Sequence, residues 1–428
     1  MRPPPKSFPY DLAGWTIGLT TLAFFYGGIR AFYYGGDFLA SFSYVSDERT
    51  FNEIANSWIG RDPQETLFGV HAFGDYVISN VWSSLGNAWA ELEMVVYPPP
   101  ILLFHRILGY LPYDWGLSVF MILLVACTLA PMVIATRRLP VGSRVLLVAT
   151  LGLLTGPAIA ALDRGNSQGL LPIVLFGFAI AVIKERWGWA ALLIAVATVI
   201  KVYPIVLILL LLALRKYRWA AAAVGWSAAL VLASMPFIST AGVFGLPEVF
   251  GDILQFQERT VTDFLTYNVT LAGGLANAAA FLGLDGAAAW IATNPLVIVV
   301  VYAAVVVPLL WIKSIEVWIR VVLALSLPST LMPVVYAYAL NWALAATAFT
   351  VWIVMRSPGA LALRPLAVRL LMVSFALATA MLPVFIPGSA EAGRPAGVVS
   401  LAAMVVAFTL PAAAWFSRSD HSSVTQAT

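Results

Sequence analysis

Four ionisable side chains lie within or beside long apolar segments and could do chemistry together: Asp75, Arg164, Lys201 and Arg259. A carboxylate can accept a proton from a hydroxyl, and guanidinium and ammonium groups suit a phosphate. Ionisable residues in or beside membrane segments are costly and usually line the path of a substrate or ion. Each one alone could instead extend to the membrane surface. Together they predict one cavity in which a group is transferred from a phosphorylated lipid.

Asp75 begins a segment with the pattern of a helix lying on the membrane surface. Apolar residues recur at helical spacing in this segment, at Val77, Ile78, Val81, Trp82, Leu85 and Trp89. The Tyr97-Pro98-Pro99-Pro100 sequence must be extended before the chain turns apolar at Ile101, because proline disrupts the interior of a helix. Asp75 is therefore a candidate catalytic base. An acid that only caps the helix is the alternative, and the local sequence by itself favours the cap.

Composition indicates the class of protein. Of the 428 residues, 61% are hydrophobic and 11% are charged, and the mean hydropathy is +0.89. Many apolar runs reach the ~20 residues that a helix needs to cross the hydrocarbon, which predicts an all-α polytopic membrane protein rather than a β-barrel. The single Cys127 excludes an internal disulfide, and His71 and His105 are too far apart to indicate zinc. We expect no metal, no other cofactor and no nucleic-acid partner.

The apolar segments predict about twelve transmembrane helices in a single domain, residues 1–428. A short apolar segment lies near 101–108, and the spans and the two short pieces lie near 12–32, 115–135, 145–162, 170–183, 190–200, 205–214, 219–237, 295–312, 317–332, 338–355, 370–385 and 398–416. The clearest Lys and Arg clusters fall at the turns that this path makes cytoplasmic. Both termini are therefore predicted to be cytoplasmic, with the protein in the cytoplasmic (inner) membrane. Long loops near 35–96 and 238–293, and all four ionisable side chains, are then external.

Lys201 lies in a break between two apolar pieces, 190–200 and 205–214, that are each too short to cross the membrane squarely. Broken helices are tolerated at membrane depth where protein or a water-filled cavity satisfies the freed backbone groups. A transporter or lipid flippase would show this feature too, with a corresponding break in a second repeat. The sequence indicates only one break and no internal repeat. A non-catalytic scaffold is disfavoured, because its charges would gather at the cytoplasmic rim alone.

The ordered set of motifs resembles glycosyltransferase family 87, membrane enzymes of the GT-C class best known from actinobacteria. The resemblance covers roughly residues 73–345. Its motifs are Gly74-Asp75 before an amphipathic helix, Tyr97-Pro98-Pro99, Arg164-Gly165-Asn166-Ser167-Gln168, Lys201-Val202-Tyr203-Pro204 before Arg215-Lys216-Tyr217-Arg218, and Asn268-x-Thr270. It implies a GT-C bundle that transfers a sugar from a polyprenyl-phosphate donor to a glycolipid or cell-envelope polysaccharide, outside the cytoplasmic membrane.

The resemblance also implies roles for individual residues. Asp75 would accept the proton of an acceptor hydroxyl in an inverting reaction that needs no metal. The donor phosphate would be bound by Lys201, Arg164 and Arg259, whose charges stabilise the leaving oxygen. Hydrogen bonds to sugar or phosphate are expected from Tyr97, Asn166, Gln168 and Asn268, with packing at helix ends as the alternative.

Two departures from the family pattern leave choices open. The first loop is longer than usual and brings Asp47-Glu48 as a rival acid. Mannosyltransferases of the family usually carry a His pair after a late Ser-Pro or Met-Pro. Here Met332-Pro333 is followed by Tyr336 and Tyr338, which become candidates for binding the substrate. Mannose is the predicted donor sugar, and arabinofuranose from decaprenyl-phosphate arabinofuranose is the alternative.

Overall fold

The structure, a computed structural model, describes residues 7–34, 73–84, 97–252, 270–332, 337–356, 365–380 and 397–417. Within these ranges the chain is helical and contains no strand. The helices are α1 (Phe8–Tyr34), α2 (Gly74–Ser84), α3 (Pro99–Gly109), α4 (Tyr113–Thr136), α5 (Val141–Val148), α6 (Gly156–Arg164), α7 (Leu171–Ile183), α8 (Trp187–Ile200), α9 (Ile208–Ala213), α10 (Tyr217–Ile238), α11 (Leu271–Phe281), α12 (Asp285–Thr293), α13 (Pro295–Val306), α14 (Val317–Thr330), α15 (Asn341–Arg356), α16 (Pro365–Thr379) and α17 (Gly397–Phe416).

Two of the described helices, α4 and α10, are individually long and apolar enough to cross a membrane. Two bent pairs, α5 with α6 and α12 with α13, would raise the number to four if each pair crosses as one unit, and several shorter apolar helices accompany them. Each predicted apolar segment coincides with a helix over its described residues. The all-α class and the helical membrane character are confirmed, and the total of about twelve spans remains a prediction.

The span predicted near 145–162 is bent rather than straight. Helix α5 continues into a π-helical turn at Ala149–Leu153, and the chain is extended at Thr155 before α6 begins. The two parts meet at 67°. The local sequence explains the bend, because Gly156-Pro157 favours a new helix start over continuation of the old one. A second bend, of 79°, separates α12 from α13. The prediction of a single broken helix, at Lys201, is therefore wrong.

Residues 238–293 do not form a simple loop as predicted. Their second half contains α11 and α12, and α11 packs along α17. Leu271, Ala272 and Ala276 of α11 are buried in this contact region. The sequence of α11 is rich in Ala and Gly, and such small residues let membrane helices approach closely. The apolar content of this region therefore belongs to the helix bundle.

The centre of the bundle is α15, whose residues 341–354 are all buried. It packs against α4, α7 and α14. At the edge of this core, α2 lies against α3, and its buried face carries Tyr76, Ser79 and Ser83. The two serine hydroxyls donate to carbonyls of their own helix at 2.7 Å, so they need no partner on α3. Because this face of α2 packs against α3, the first turn of α2, which contains Asp75, lies close to the bundle.

Candidate active site

The end of α6 provides the framework of the candidate site. Gly165 ends this helix in the left-handed region at φ 61°, and Asn166 follows in extended conformation. A Cβ on Gly165 would lie 3.0 Å from Cβ of Tyr76 and 3.3 Å from Cα of Phe73. Glycine is therefore favoured here for its backbone angle and for the close approach of α2. The contact places Asp75 directly beside Arg164 and Asn166.

The carboxylate of Asp75 accepts three hydrogen bonds from these two neighbours. Arg164 donates from Nε to Oδ2 at 2.9 Å and from Nη2 to Oδ1 at 2.8 Å, which is the bidentate geometry of a strong ion pair. Asn166 Nδ2 donates to the same Oδ2 at 2.6 Å. The side chains of Asp75 and Arg164 are only 12% and 9% exposed. The acid thus has side-chain partners on another element, which a residue that merely caps α2 would not require.

The electrostatics of the site keep Asp75 ionised. Burial by itself raises the pKa of this carboxyl, but the charge and hydrogen bonds of Arg164, the hydrogen bond from Asn166 and the charge of Lys201 outweigh it. The pKa of Asp75 is therefore lowered from its ordinary value. A carboxylate with a lowered pKa is a weak proton acceptor for as long as these partners remain in place.

Tyr97 connects the acid to the second cation. Its hydroxyl accepts a hydrogen bond from Asn166 Nδ2 at 3.2 Å, and Lys201 Nζ lies 4.3 Å from the centroid of its ring, in cation–π geometry. Lys201 follows α8 in an extended conformation, which directs the chain out of the helix at this point. Pro98 is extended, as predicted, but the prediction is wrong for Pro99 and Pro100. Helix α3 already begins at Pro99, because proline is tolerated in the first helical turn.

The break after α8 contributes Tyr203 to the site as well as Lys201. The backbone N–H of Gln168 donates to Asn166 Oδ1 at 2.9 Å, and the Gln168 side-chain oxygen accepts a hydrogen bond from the Tyr203 hydroxyl. Lys201 and Tyr203 thus reach the same cluster from one short segment. The amide of Asn166 is held from both sides, so its orientation towards Asp75 is fixed.

Six of the predicted site residues come together in this cluster: Asp75, Tyr97, Arg164, Asn166, Gln168 and Lys201. Four others lie outside the described residues, namely Arg259, Asn268, Tyr336 and the rival acid Asp47, as does the side chain of Tyr338. Thr270 of the Asn268-x-Thr270 motif caps α11 by accepting a hydrogen bond from the N–H of Gly273 at 3.2 Å.

Sequence reasoning missed several polar residues near the site. His105 was considered only as a zinc ligand, yet its Nε2 lies 3.4 Å from Ser167 Oγ and its ring packs against Phe120. A histidine inside an apolar helix was the available signal. Asn341, the first residue of α15, is fully buried, and neither atom of its amide has a partner within the described part of the chain. Among the described residues, no three His, Cys, Asp or Glu side chains gather to hold a metal ion.

An all-helical membrane protein with a carboxylate and two cations in one buried cluster has the parts of a membrane-bound group transferase. The family model of glycosyltransferase family 87 matches residues 96–321, more than half of the chain. The chain therefore belongs to glycosyltransferase family 87 and is a membrane glycosyltransferase. No curated protein and no solved structure gives a significant match. Asp75 lies before the matched region, but its hydrogen-bond partners Arg164 and Asn166 lie inside it.

Proposed function

We propose that the protein transfers a sugar from a polyprenyl-phosphate donor to a hydroxyl of a glycolipid or cell-envelope glycan, with inversion at the anomeric carbon. Mannose is the first candidate for the donor sugar and arabinofuranose the second. The reaction would take place at the external face of the cytoplasmic membrane. One observation carries the proposal: Asp75 is paired with Arg164 through two hydrogen bonds, and Lys201 lies over Tyr97, which shares Asn166 with that carboxylate.

The charges of this cluster favour a phosphate. Among the residues that the structure describes in this cluster, two cations and one carboxylate leave an excess of one positive charge, and the side chains of Asp75 and Arg164 are mostly buried. An unpaired charge at a buried position costs free energy unless a ligand of opposite charge neutralises it. Arginine binds phosphate in a bidentate manner and lysine adds a compact charge. The phosphate of a lipid-linked sugar would neutralise the excess positive charge.

The Asp75–Arg164 pair suggests how donor binding could activate the base. If the donor phosphate takes the guanidinium of Arg164, the carboxylate loses its strongest partner and its pKa rises towards its ordinary value. Asp75 then becomes a better proton acceptor only when the donor is in place. The acceptor oxygen attacks the anomeric carbon and gives its proton to Asp75, while the bond from that carbon to the phosphate oxygen breaks. Arg164 and Lys201 stabilise the polyprenyl phosphate that leaves.

The remaining candidates would bind and orient the substrates. Tyr97 and Asn166 lie between the acid and Lys201, where they could hydrogen-bond the sugar or the phosphate. Gln168 is committed to Asn166 and Tyr203, so we assign it to positioning Asn166. We further propose Arg259 for the phosphate, and Asn268, Tyr336 and Tyr338 for substrate binding, on the family resemblance alone.

The test is a transfer assay with purified protein in lipid vesicles. One arm supplies polyprenyl-phosphate mannose and the other decaprenyl-phosphate arabinofuranose, each with a glycolipid acceptor. Mass spectrometry should detect a new glycolipid and free polyprenyl phosphate in one arm, and NMR of the product should show an inverted anomeric centre. A flippase would carry the labelled donor across the vesicle membrane without forming a glycoside. Donor translocation without a product would therefore overturn the proposal.

A further inference from the structure

A group of arginines lies at the opposite end of α4 from the candidate active site. Tyr113, at the start of α4, packs its ring 5.9 Å from that of Tyr76, the neighbour of Asp75. Arg137 and Arg138 follow the last residue of the same helix, which is 24 residues long. At 1.5 Å per residue, about 36 Å of helix separate the two ends. The arginines therefore belong to a different surface of the protein.

Three arginines from two helices converge at this end. Helix α15 packs along α4, and its last residue is Arg356. Arg137 and Arg138 lie close enough to Arg356 for their positive charges to act on it. The Arg356 guanidinium is 4.4 Å from the centroid of the Trp352 ring. None of the three forms a salt bridge with an acid among the residues that the structure describes, so their mutual repulsion is not offset by a carboxylate there.

The turn between α4 and α5 is fixed by a fourth arginine. Arg144 donates from Nη2 to the carbonyl of Arg137 at 2.9 Å and to that of Leu139 at 3.3 Å. These bonds satisfy carbonyls that follow the end of α4, where helices commonly leave such groups unpaired. The backbone that carries Arg137 and Arg138 is thereby held in place, so a ligand need not order it.

Exposed apolar side chains lie close in sequence to the arginines of α4, on α4 itself and on α5. Val133 and Ile134 are 41% and 36% exposed, and each lies four residues before one of the α4 arginines, hence on the same helix face. Val141 and Val145 of α5 are 70% and 61% exposed and share a face in the same way. A basic cluster beside an apolar surface matches the two parts of a phospholipid, a charged headgroup and its acyl chains.

We propose that Arg137, Arg138 and Arg356 bind the phosphate of an anionic phospholipid, with its acyl chains against the exposed valines and isoleucine of α4 and α5. Helix C-termini favour a single cation through their dipole, but this does not account for three that repel one another. An anionic headgroup relieves that repulsion and can accept charge-assisted hydrogen bonds from the guanidinium groups. The site is separate from the sugar-transfer cluster and does not depend on the proposed reaction.

Lipid binding by the purified full-length protein tests this site. Native mass spectrometry would compare phosphatidylglycerol with phosphatidylcholine for the wild type and for the triple variant Arg137→Gln/Arg138→Gln/Arg356→Gln. We expect the triple variant to lose about tenfold or more of its affinity for phosphatidylglycerol, with phosphatidylcholine binding unchanged. The matched control is Arg215→Gln/Lys216→Gln/Arg218→Gln, which removes three charges at the turn before α10 and should retain binding.

Equal loss in both triple variants would indicate general charge attraction and overturn the proposal. So would displacement of the lipid by millimolar inorganic phosphate, since the apolar surface would then contribute nothing. If the triple variant does not fold, Arg138→Gln and Arg356→Gln are measured singly, and unchanged phosphatidylglycerol binding in both would contradict the site. Sugar transfer by the Arg137/Arg138/Arg356 variants in phosphatidylcholine should equal that of the wild type, so loss of lipid binding can be distinguished from failure of the proposed function.

Discussion

Asp75 and Arg164 are joined by two hydrogen bonds of 2.9 and 2.8 Å, although 89 positions separate them in the sequence. The pair connects the short helix α2 to the end of α6, and Asn166 binds the same carboxylate. The acid proposed as the base is thus also a structural partner of a cation proposed for the phosphate. Substitutions at either residue are expected to change stability and activity together, and the experiments must separate the two.

Replacing Asp75 by Asn should lower the transfer rate by about 10²- to 10⁴-fold, because an amide cannot accept the proton. It should also lower the free energy of unfolding by about 1–3 kcal/mol, since Arg164 is left without its counter-charge at a mostly buried position. The double variant Asp75→Asn/Arg164→Gln should recover stability but not activity. Transfer assays and melting in detergent measure the two effects, and Asp47→Asn is the control that should be mild. Near-normal activity of Asp75→Asn with loss in Asp47→Asn would move the active site to Asp47.

Removal of the second cation should weaken use of the donor. We expect Lys201→Ala to raise the donor KM about tenfold or more, since hydrogen bonds to charged groups contribute roughly 1.5–3 kcal/mol. The acceptor KM should change little. Lys313→Ala, at a lysine outside the cluster, is the control. Unchanged donor kinetics in the Lys201 variant would show that the phosphate binds elsewhere.

Acid should destabilise the protein through Asp75. The folded-state pKa is lowered, so the ionised carboxylate contributes its full stability above the ordinary Asp pKa of about 3.9 and loses it as the pH falls towards the folded-state value. The wild-type melting temperature should therefore decline below about pH 4. The decline should be shallower in Asp75→Asn, which has no such proton to bind. Identical curves for the two proteins would argue against the ion pair.

Gly165 should tolerate no side chain. Gly165→Ala adds a methyl group 3.0 Å from Cβ of Tyr76 at a backbone angle that disfavours alanine, so both stability and transfer should fall. Gly242 is a matched control, because its φ is also positive, at 55°, but a Cβ there would meet no atom within 4 Å. Gly242→Ala should therefore show the cost of the backbone angle alone. Equal effects of the two substitutions on transfer would mean that the approach of α2 to Gly165 does not position Asp75.

Asn341 carries a buried amide that has no hydrogen-bond partner among the described residues, and replacing it tests whether this amide serves activity rather than stability. An unpaired buried donor or acceptor costs about 1–3 kcal/mol, and an apolar group of similar shape avoids that cost. Asn341→Leu should therefore raise the melting temperature. The turn at Ala337–Leu340 just before Asn341 packs against α6, which carries Arg164, so activity is measured in parallel. A lower melting temperature would show that the amide has a stabilising partner.

The sequence was sufficient to predict the helices and much of the site, because long apolar runs and isolated charges are local signals. Asp75, Arg164 and Lys201 each interrupt an apolar stretch, so their gathering could be expected. The bidentate pairing could not, since it depends on how α2 packs against Gly165. The bend before Gly156 and the packing of α11 on α17 also depend on tertiary contacts. His105 and Tyr203 were missed because their partners, Ser167 and Gln168, are distant in sequence.

Asp75 lies ahead of the family-matched region, so the proposed catalytic apparatus would be divided between two stretches of chain. Under the proposed mechanism, α2 would supply the proton acceptor, while Arg164 and Lys201 come from the helical bundle that follows. Related enzymes could therefore exchange or lengthen the first stretch to accommodate new acceptors while the phosphate-binding bundle stays constant. Acceptor choice and donor choice would then reside in separate parts of the chain, joined by the contact of α2 with Gly165.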